Sequence, residues 1–129
     1  MATPATDAPF TFAHLPHPGP LAADARAEIL ANPGFGTTFS DHMVSVFYDE
    51  AKGWHGAEVA PYGPIALDPA AAVLHYAQEI FEGLKAYRLA DGGIALFRPE
   101  ANAARFNASA ERLAMPGIPA GLFVQAVEE

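Results

Sequence analysis

Residues 74–115 constrain the fold more than any other part of the sequence. Within them, residues 84–89 and 94–97 are short runs suited to strands, and they flank an Asp-Gly-Gly loop at positions 91–93. This spacing predicts a β-hairpin. Pro99 follows directly and predicts the start of a helix, because the first helical position needs no backbone N–H donor.

The helix that Pro99 opens is amphipathic and ends before Pro116. Its apolar and polar positions recur at helical spacing, which predicts one buried stripe and one polar stripe. The predicted buried stripe consists of Ala103, Phe106, Ala110 and Leu113. The predicted polar stripe consists of Asn102, Arg105, Ser109 and Arg112.

A last amphipathic segment begins at Pro119 and runs to residue 129. Its apolar side chains, which fall on one side at helical spacing, are Leu122, Phe123, Ala126 and Val127. No cap or turn completes this segment, so its apolar face is half built. We therefore expect the natural chain to be longer.

Prolines dominate the beginning of the chain, at positions 4, 9, 16, 18 and 20. Because proline removes a backbone donor and breaks helices, we expect residues 1–20 to form an extended or disordered arm. Residues 21–31 carry apolar side chains at helical spacing before Asn-Pro-Gly, which predicts a short helix. One small domain, residues 21–129, is expected after the arm.

Two strands are predicted in the next part of the chain. Residues 43–48 are apolar on both faces and rich in β-formers, which is typical of a buried strand. Residues 49–53 supply a turn, residues 54–60 suit the returning strand, and residues 65–67 form at best a short third one. The predicted mixture of strands and helices indicates the α+β class.

Asp68-Pro69 is a helix-start signal, with a capping carboxylate before a proline. The alanine-rich run after it is either helical through Ile80 or irregular at residues 73–76. Gly83 is well placed to end the helix or to mark the point where the helix turns into a strand.

Composition excludes several classes of function. The 129 residues include 15 acidic and 7 basic ones, for a formal net charge of −8, and the basic residues form no run, so we expect no nucleic-acid partner. The absence of cysteine excludes disulfides and thiolate metal sites. No window approaches the roughly 20 apolar residues of a membrane span, and the expectation is a cytoplasmic protein without a membrane partner.

The usual catalytic motifs are missing from the sequence. It contains no Gly-rich phosphate loop, no His-Glu-x-x-His and no Gly-x-Ser-x-Gly. The five histidines lack ligand spacing, so we predict no metal site. Glu79 and Glu82 are either a pair for acid and base chemistry or, more commonly, a solvated face.

Arg105 and Phe35 each have two interpretations. Arg105 is either a solvated helix arginine or a forked donor that binds a phosphate. Phe35, an aromatic residue among glycines, either fills the core or forms a pocket wall. The residues alone lead to an anion site on a small α+β domain and to no named reaction.

A family resemblance goes further. The runs HYAQEIFEGLKAYR and LFRPEANAARFNASAERLAMP, with the earlier GFGTTFSDHMVSV, closely resemble the N-terminal part of branched-chain amino acid aminotransferases. These enzymes belong to fold-type IV of the pyridoxal phosphate enzymes. The similarity runs in register from about Pro33 to Pro116, which is most of the chain.

The resemblance implies a small N-terminal domain of two layers (α/β), with an antiparallel-rich sheet packed with helices. It implies that Arg105 binds the phosphate of pyridoxal 5'-phosphate and that Phe35, Tyr76 and Phe81 line the substrate pocket. It also implies branched-chain amino acids, glutamate and 2-oxo acids as substrates, and a homodimer. Apolar rings would favour valine, leucine and isoleucine because they bury methyl groups.

The resemblance also implies a lysine that holds the cofactor as a Schiff base. Lys52 and Lys85 are the lysines of this chain, and neither matches that position. We therefore expect no catalytic residue in these 129 residues and place the lysine in a C-terminal domain that they do not contain. The alternatives are another fold-type IV enzyme, such as a D-amino acid aminotransferase or aminodeoxychorismate lyase, and a binding module without catalysis.

Overall fold

A three-stranded sheet forms the centre of the first of two compact units in the computed structural model, which describes residues 10–129. This first unit comprises residues 11–65 and Glu129. Its strands are β1 (Ala13–His14), β2 (His42–Asp49) and β3 (Gly53–Pro61), in the order β1-β3-β2, and α1 (Ala23–Ala31) lies between β1 and β2 in the chain. The predicted helix and both predicted strands are confirmed.

β2 and β3 pair antiparallel, from His42 opposite Pro61 to Asp49 opposite Gly53. The register shifts between Ser45 and Phe47, where Gly56 has a φ of +61°. A Cβ at Gly56 would lie 3.2 Å from the Phe47 ring, so both the backbone angle and the space favour glycine there.

The prediction that the strand at residues 43–48 is buried on both faces is wrong. Phe47 and Tyr48 are exposed and the other residues of β2 are only partly buried. The apolar core of this unit is small and consists of Phe12, Ala57 and Val59. β-branched and aromatic residues form β2, but too few side chains cover it to bury both faces.

β1 supplies the third strand of the sheet. It pairs parallel with β3, with Ala13 opposite Glu58 and His14 opposite Val59. Residues 65–67, considered as a short third strand, form none. Of the predicted arm, residues 1–9 lie outside the described part of the chain, and the rest includes this extended, paired segment.

The second unit comprises Phe10 and residues 66–128 among the described residues. It contains α2 (Ala72–Tyr76), β4 (Ala86–Arg88), β5 (Ile94–Leu96), α3 (Pro99–Arg112) and α4 (Ala120–Glu128). β4 and β5 form the predicted hairpin, with Ala86 opposite Leu96 and Arg88 opposite Ile94. The predicted hairpin and the helices after Pro99 and Pro119 are confirmed.

The extension of α2 to Ile80 is wrong, and so is Gly83 as its end, because the helix stops at Tyr76. Ala77, with a φ of 47°, turns the backbone into the left-handed region directly after Tyr76. Residues 73–76, considered as irregular, are helical, and residues 77–85 run on without regular structure. Asp68 accepts the Ala70 N–H at 2.7 Å, which makes a local turn rather than a helix cap.

α3 and α4 form the apolar core of the second unit. Ala103, Ala110 and Leu122 are almost fully buried, and the Phe106 and Phe123 rings lie 5.5 Å apart between centroids. The Asn107 amide accepts from the Ile118 N–H and donates to the Ile118 carbonyl, both at 2.8 Å. This pair of hydrogen bonds ties the segment before α4 to α3.

The predicted stripes of α3 are wrong at two positions. Leu113, assigned to the buried stripe, is exposed, and Asn102, assigned to the polar stripe, is buried. The helices and two small antiparallel-rich sheets place the chain in the α+β class. The single domain expected for residues 21–129 stays a prediction. Within residues 10–129, every helix is too short or too polar to span a bilayer.

Candidate functional site

Arg105 lies on α3 and reaches across to Glu82, in the irregular segment before β4. Its Nη2 donates to Glu82 Oε1 at 2.5 Å and its Nε donates to Glu82 Oε2 at 3.3 Å. This is the two-pronged arrangement in which a guanidinium binds a carboxylate most specifically. The ion pair therefore links α3 to the irregular segment before β4.

Asn102 lies almost one helical turn before Arg105 on α3 and fixes the acidic partner. Its Nδ2 donates to Glu82 Oε1 at 2.8 Å and to the Gly83 carbonyl at 3.0 Å. Both donors of the amide are thus used, which explains how a polar side chain is buried here. Asn102 and Arg105 together hold Glu82 against one face of α3.

The two members of the ion pair differ in exposure. The Glu82 side chain is 10% exposed, whereas the Arg105 side chain is 64% exposed. Glu82 is therefore the anchored group, and Arg105 extends from it towards solvent. The sequence-based interpretation of Glu82 as a solvated face is wrong.

Each group favours the charged form of the other. The hydrogen bond from Arg105 lowers the pKa of Glu82 against the opposing effect of its desolvation, with further lowering from Asn102, the Arg105 charge and the Gly83 backbone. The hydrogen bond and the charge of Glu82 raise the pKa of Arg105. Both groups are consequently ionised at neutral pH.

A cavity of about 260 Å³ opens beside this pair. One of its walls is formed by Arg98 and by positions 101, 102 and 105 of α3, and the others come from the hairpin and the residues beside it. Its lining residues, which include three cations and no acidic residue, are Leu84, Lys85, Tyr87, Phe97, Arg98, Ala101, Asn102 and Arg105. We call it the cationic cavity.

The backbone at Arg98 is unusual. Arg98 has a φ of 51° and a ψ of 53°, the left-handed region, immediately before Pro99 starts α3. A non-glycine residue held there carries a conformational cost. Ala101, in the first turn of α3, also lines the cavity, and helix N-termini favour anions.

The donor set fits a phosphate. A guanidinium has five N–H donors, and the Nε–Nη2 edge of Arg105 is occupied by Glu82. The Nη1 group makes no hydrogen bond with any residue from 10 to 129, and three donors stay available for an anion. Lys85 and Arg98 add positive charge in a chain whose net charge is −8. The residues present therefore suit the phosphate of pyridoxal phosphate.

The predicted substrate residues are exposed. Tyr76 ends α2 and is 83% exposed, and Phe81, directly before Glu82, is 86% exposed. The Phe81 ring lies 3.6 Å from the position of a Cβ on Gly83, but neither ring lines the cationic cavity. Phe35 is 97% exposed and belongs to the first unit. The interpretation of Phe35 as a core residue is therefore wrong, and its pocket role stays a prediction.

Sequence reasoning missed four contributors to the site: Glu82 as an ion-pair partner, Asn102 as its support, and Lys85 and Arg98 as cations of the cavity. Helical periodicity carries no signal for them, because three lie outside α3 and Asn102 is buried on the side that the pattern marks as polar. Among the described residues, no group of three His, Cys, Asp or Glu side chains is arranged to hold a metal ion.

Comparisons with known proteins give the family context. No family model matches the chain. It is 58% identical over 113 residues to a probable branched-chain-amino-acid aminotransferase of Streptomyces coelicolor, which covers 88% of this chain and 31% of that protein. It is 56% identical over 121 residues to the branched-chain-amino-acid aminotransferase of Mycolicibacterium smegmatis. That match covers 94% of this chain and 33% of that protein.

A more distant relative agrees. The branched-chain-amino-acid transaminase 1 of Bacillus subtilis is 48% identical over 96 residues, which covers 74% of this chain and 27% of that protein. The chain thus spans about a third of the length of the curated relatives it matches. Over most of its own length, this chain is a homologue of the branched-chain-amino-acid aminotransferases.

Proposed function

We propose that this chain provides the phosphate-binding arginine and part of the substrate pocket of a pyridoxal phosphate-dependent branched-chain amino acid aminotransferase of fold-type IV. The proposal is supported by the similarity to aminotransferases over most of the chain. The observation that carries it is the open Nη1–Nη2 end of Arg105 beside the cationic cavity. A fork of two donors matches two oxygens of a phosphate.

Arg105 binds the cofactor phosphate in this proposal. The positive charge of Lys85 and Arg98 raises the local concentration of anions around it. The cofactor, when bound, supplies an electron sink for the exchange of an amino group between an amino acid and a 2-oxo acid. The lysine that holds the cofactor belongs to the part of the relatives that these 129 residues do not match.

Phe35, Tyr76 and Phe81 contact the substrate side chain in this proposal. Their exposed rings are available to bury the methyl groups of leucine, isoleucine or valine, which stabilises binding by about 25 cal/mol per Å² of apolar surface removed from water. 2-Oxoglutarate accepts the amino group and becomes glutamate. The proposal includes a homodimer in the cytoplasm.

The test uses the full-length protein encoded by the complete gene. We expect Arg105→Ala to raise the pyridoxal phosphate concentration needed for half-maximal leucine transamination by about 10- to 100-fold, as for the loss of a charged hydrogen-bonding group. Arg112→Ala, an exposed arginine in the last turn of α3, is the matched control and should leave that concentration within about twofold.

Two outcomes would contradict the proposal. The first is an Arg105→Ala enzyme with the cofactor requirement of the parent protein. The second is a substrate panel in which D-alanine or aminodeoxychorismate turns over and the three branched-chain L-amino acids do not. These 129 residues alone, given cofactor, leucine and 2-oxoglutarate, should form no glutamate.

A further inference from the structure

We infer that Glu82 is the positioning residue of the phosphate site: its carboxylate takes one edge of the Arg105 guanidinium and so aims the other donors at the anion. The inference rests on the proposed function, since it assigns a partner to the arginine proposed there. The inference goes beyond the proposed function because it gives a role to a carboxylate next to a site for a negatively charged ligand.

The geometry of the guanidinium carries the first step. Glu82 receives hydrogen bonds from Nε and Nη2, which form the side edge of the planar group. The end formed by Nη1 and the second Nη2 hydrogen is a separate fork, and it points away from the occupied edge because the group is planar. A carboxylate bound to the side edge therefore leaves the end fork available for a phosphate.

The burial of Glu82 carries the second step. A long arginine side chain with 64% exposure samples many rotamers unless a fixed group holds it. Glu82 is such a group, because it is 10% exposed and is itself held by Asn102 Nδ2 at 2.8 Å. Asn102 and Arg105 lie on the same face of α3, so one helix supports both the anchor and the guanidinium.

The charge balance carries the third step. A carboxylate beside an anion site weakens anion binding because the two negative charges repel each other. Its presence therefore calls for a role other than attraction. Here the three cations of the cavity outweigh the one carboxylate. The carboxylate also keeps the charged form of Arg105 favoured, since it raises the pKa of the guanidinium. Glu82 thus orients the Arg105 guanidinium, and the positive charges of Lys85 and Arg98 offset its repulsion of the bound anion.

The experiment uses nuclear magnetic resonance on the full-length protein, with pyridoxamine 5'-phosphate as the probe. This probe carries the phosphate but no aldehyde, so it does not condense with Lys52 or Lys85. Pyridoxamine, which lacks the phosphate, is the reference ligand. The signals observed are the Arg105 Nε–Hε resonance, its heteronuclear NOE and its exchange rate with water, and amide dispersion verifies the fold of every variant.

We expect Glu82→Gln to lower the Arg105 Nε–Hε heteronuclear NOE, to speed its exchange with water and to weaken phosphate-dependent binding by about tenfold. The amide that replaces the carboxylate offers one acceptor and turns an NH₂ group towards the guanidinium donors. Glu79→Gln is the matched control, being an exposed glutamate three residues earlier, and it should change none of these values. Asn102→Ser should shift them in the same direction as Glu82→Gln by a smaller amount.

The outcomes separate the two proposals. The positioning role is overturned if a folded Glu82→Gln chain keeps the NOE, the exchange rate and the phosphate-dependent affinity of the parent chain. If Glu82→Gln does not fold, the same result for Asn102→Ser overturns it. A parent chain whose Arg105 signals respond equally to pyridoxamine and its phosphate overturns the phosphate role of Arg105, and the positioning role with it. If Arg105→Ala abolishes the phosphate-dependent affinity while Glu82→Gln preserves it, only the positioning role is lost.

Discussion

Asp49 collects three donors at the turn between β2 and β3. Its Oδ1 accepts the Lys52 N–H at 2.7 Å, and its Oδ2 lies 2.8 Å from His55 Nε2 and 3.6 Å from Lys52 Nζ. The backbone hydrogen bond from Lys52 lowers the pKa of Asp49 most, desolvation opposes it, and the His55 charge lowers it further. One carboxylate thus closes the hairpin of the first unit.

The Asp49 contribution to stability depends on pH. Because the pKa is lower in the folded chain than in the unfolded one, the ionised carboxylate stabilises the fold above the unfolded value of 3.8. That contribution is lost as the pH falls through the folded pKa. We expect Asp49→Asn to lower the melting temperature at pH 6 and the difference from the parent chain to shrink towards pH 3.

Thermal unfolding by circular dichroism across this pH range measures that difference. The amide that this substitution introduces still has an oxygen to accept the Lys52 N–H, so the experiment isolates the charge rather than the turn hydrogen bond. Glu50→Gln, which removes the neighbouring negative charge, corrects for the change in net charge. A melting-temperature difference that is the same at pH 6 and pH 3 would show that the Asp49 charge has no part in folding.

α3 and α4 are stable as a pair because of a few almost fully buried side chains. Leu122 on α4 is 2% exposed, and Ala103 and Ala110 on α3 leave room for close packing. We expect Leu122→Ala to reduce the free energy of unfolding by about 2–5 kcal/mol, from lost burial and the cavity left behind. Urea denaturation, with hydrogen exchange of the α3 amides, measures the loss.

Val127→Ala on the same helix is the matched control. Val127 is exposed, so its truncation should cost less than about 1 kcal/mol. Equal costs for the two substitutions would mean that α4 does not pack through Leu122. The comparison holds the helix and the new side chain constant, and the two sites differ mainly in burial, since leucine loses only one carbon more than valine.

Elements with a local signal could be predicted from the sequence. The 84–97 hairpin has its loop glycines, and α3 and α4 have a proline before or at the first turn and apolar residues at helical spacing. α2 could not be placed, because Ala77 adopts a left-handed backbone that alanine rarely favours. β1 could not either, since its pairing with β3 is a contact between distant parts of the chain.

The site divides in the same way. Arg105 could be proposed because the resemblance fixes it, and its helix could be predicted from spacing. Glu82 and Asn102 could not be assigned, because their hydrogen bonds join residues 19 or more positions apart. Asn102 is buried for a reason that a periodicity pattern does not contain: the Gly83 carbonyl and the Glu82 carboxylate occupy both of its donors.

The described residues expose several large apolar side chains in both units. Phe35, Ile65, Tyr76, Phe81, Ile94 and Phe97 are each more than 70% exposed. Single exposed apolar residues are ordinary, but Ile94 and Phe97 lie in one short hairpin whose partner strand carries the exposed Tyr87. The net charge of −8 opposes association of such chains through repulsion.

The balance between this repulsion and the apolar surface should depend on salt. We expect the 129-residue chain to bind anilinonaphthalene sulfonate and to associate with rising protein concentration, more strongly at about 0.3 M NaCl than at about 0.02 M, because salt screens the charge. Light scattering at several concentrations measures the association. The double substitution Ile94→Thr with Phe97→Ser should reduce dye binding and association while leaving the circular dichroism spectrum unchanged, since both side chains are more than 70% exposed. A chain that stays monomeric and dye-free at both salt concentrations would show that these exposed side chains are too dispersed to act as a surface.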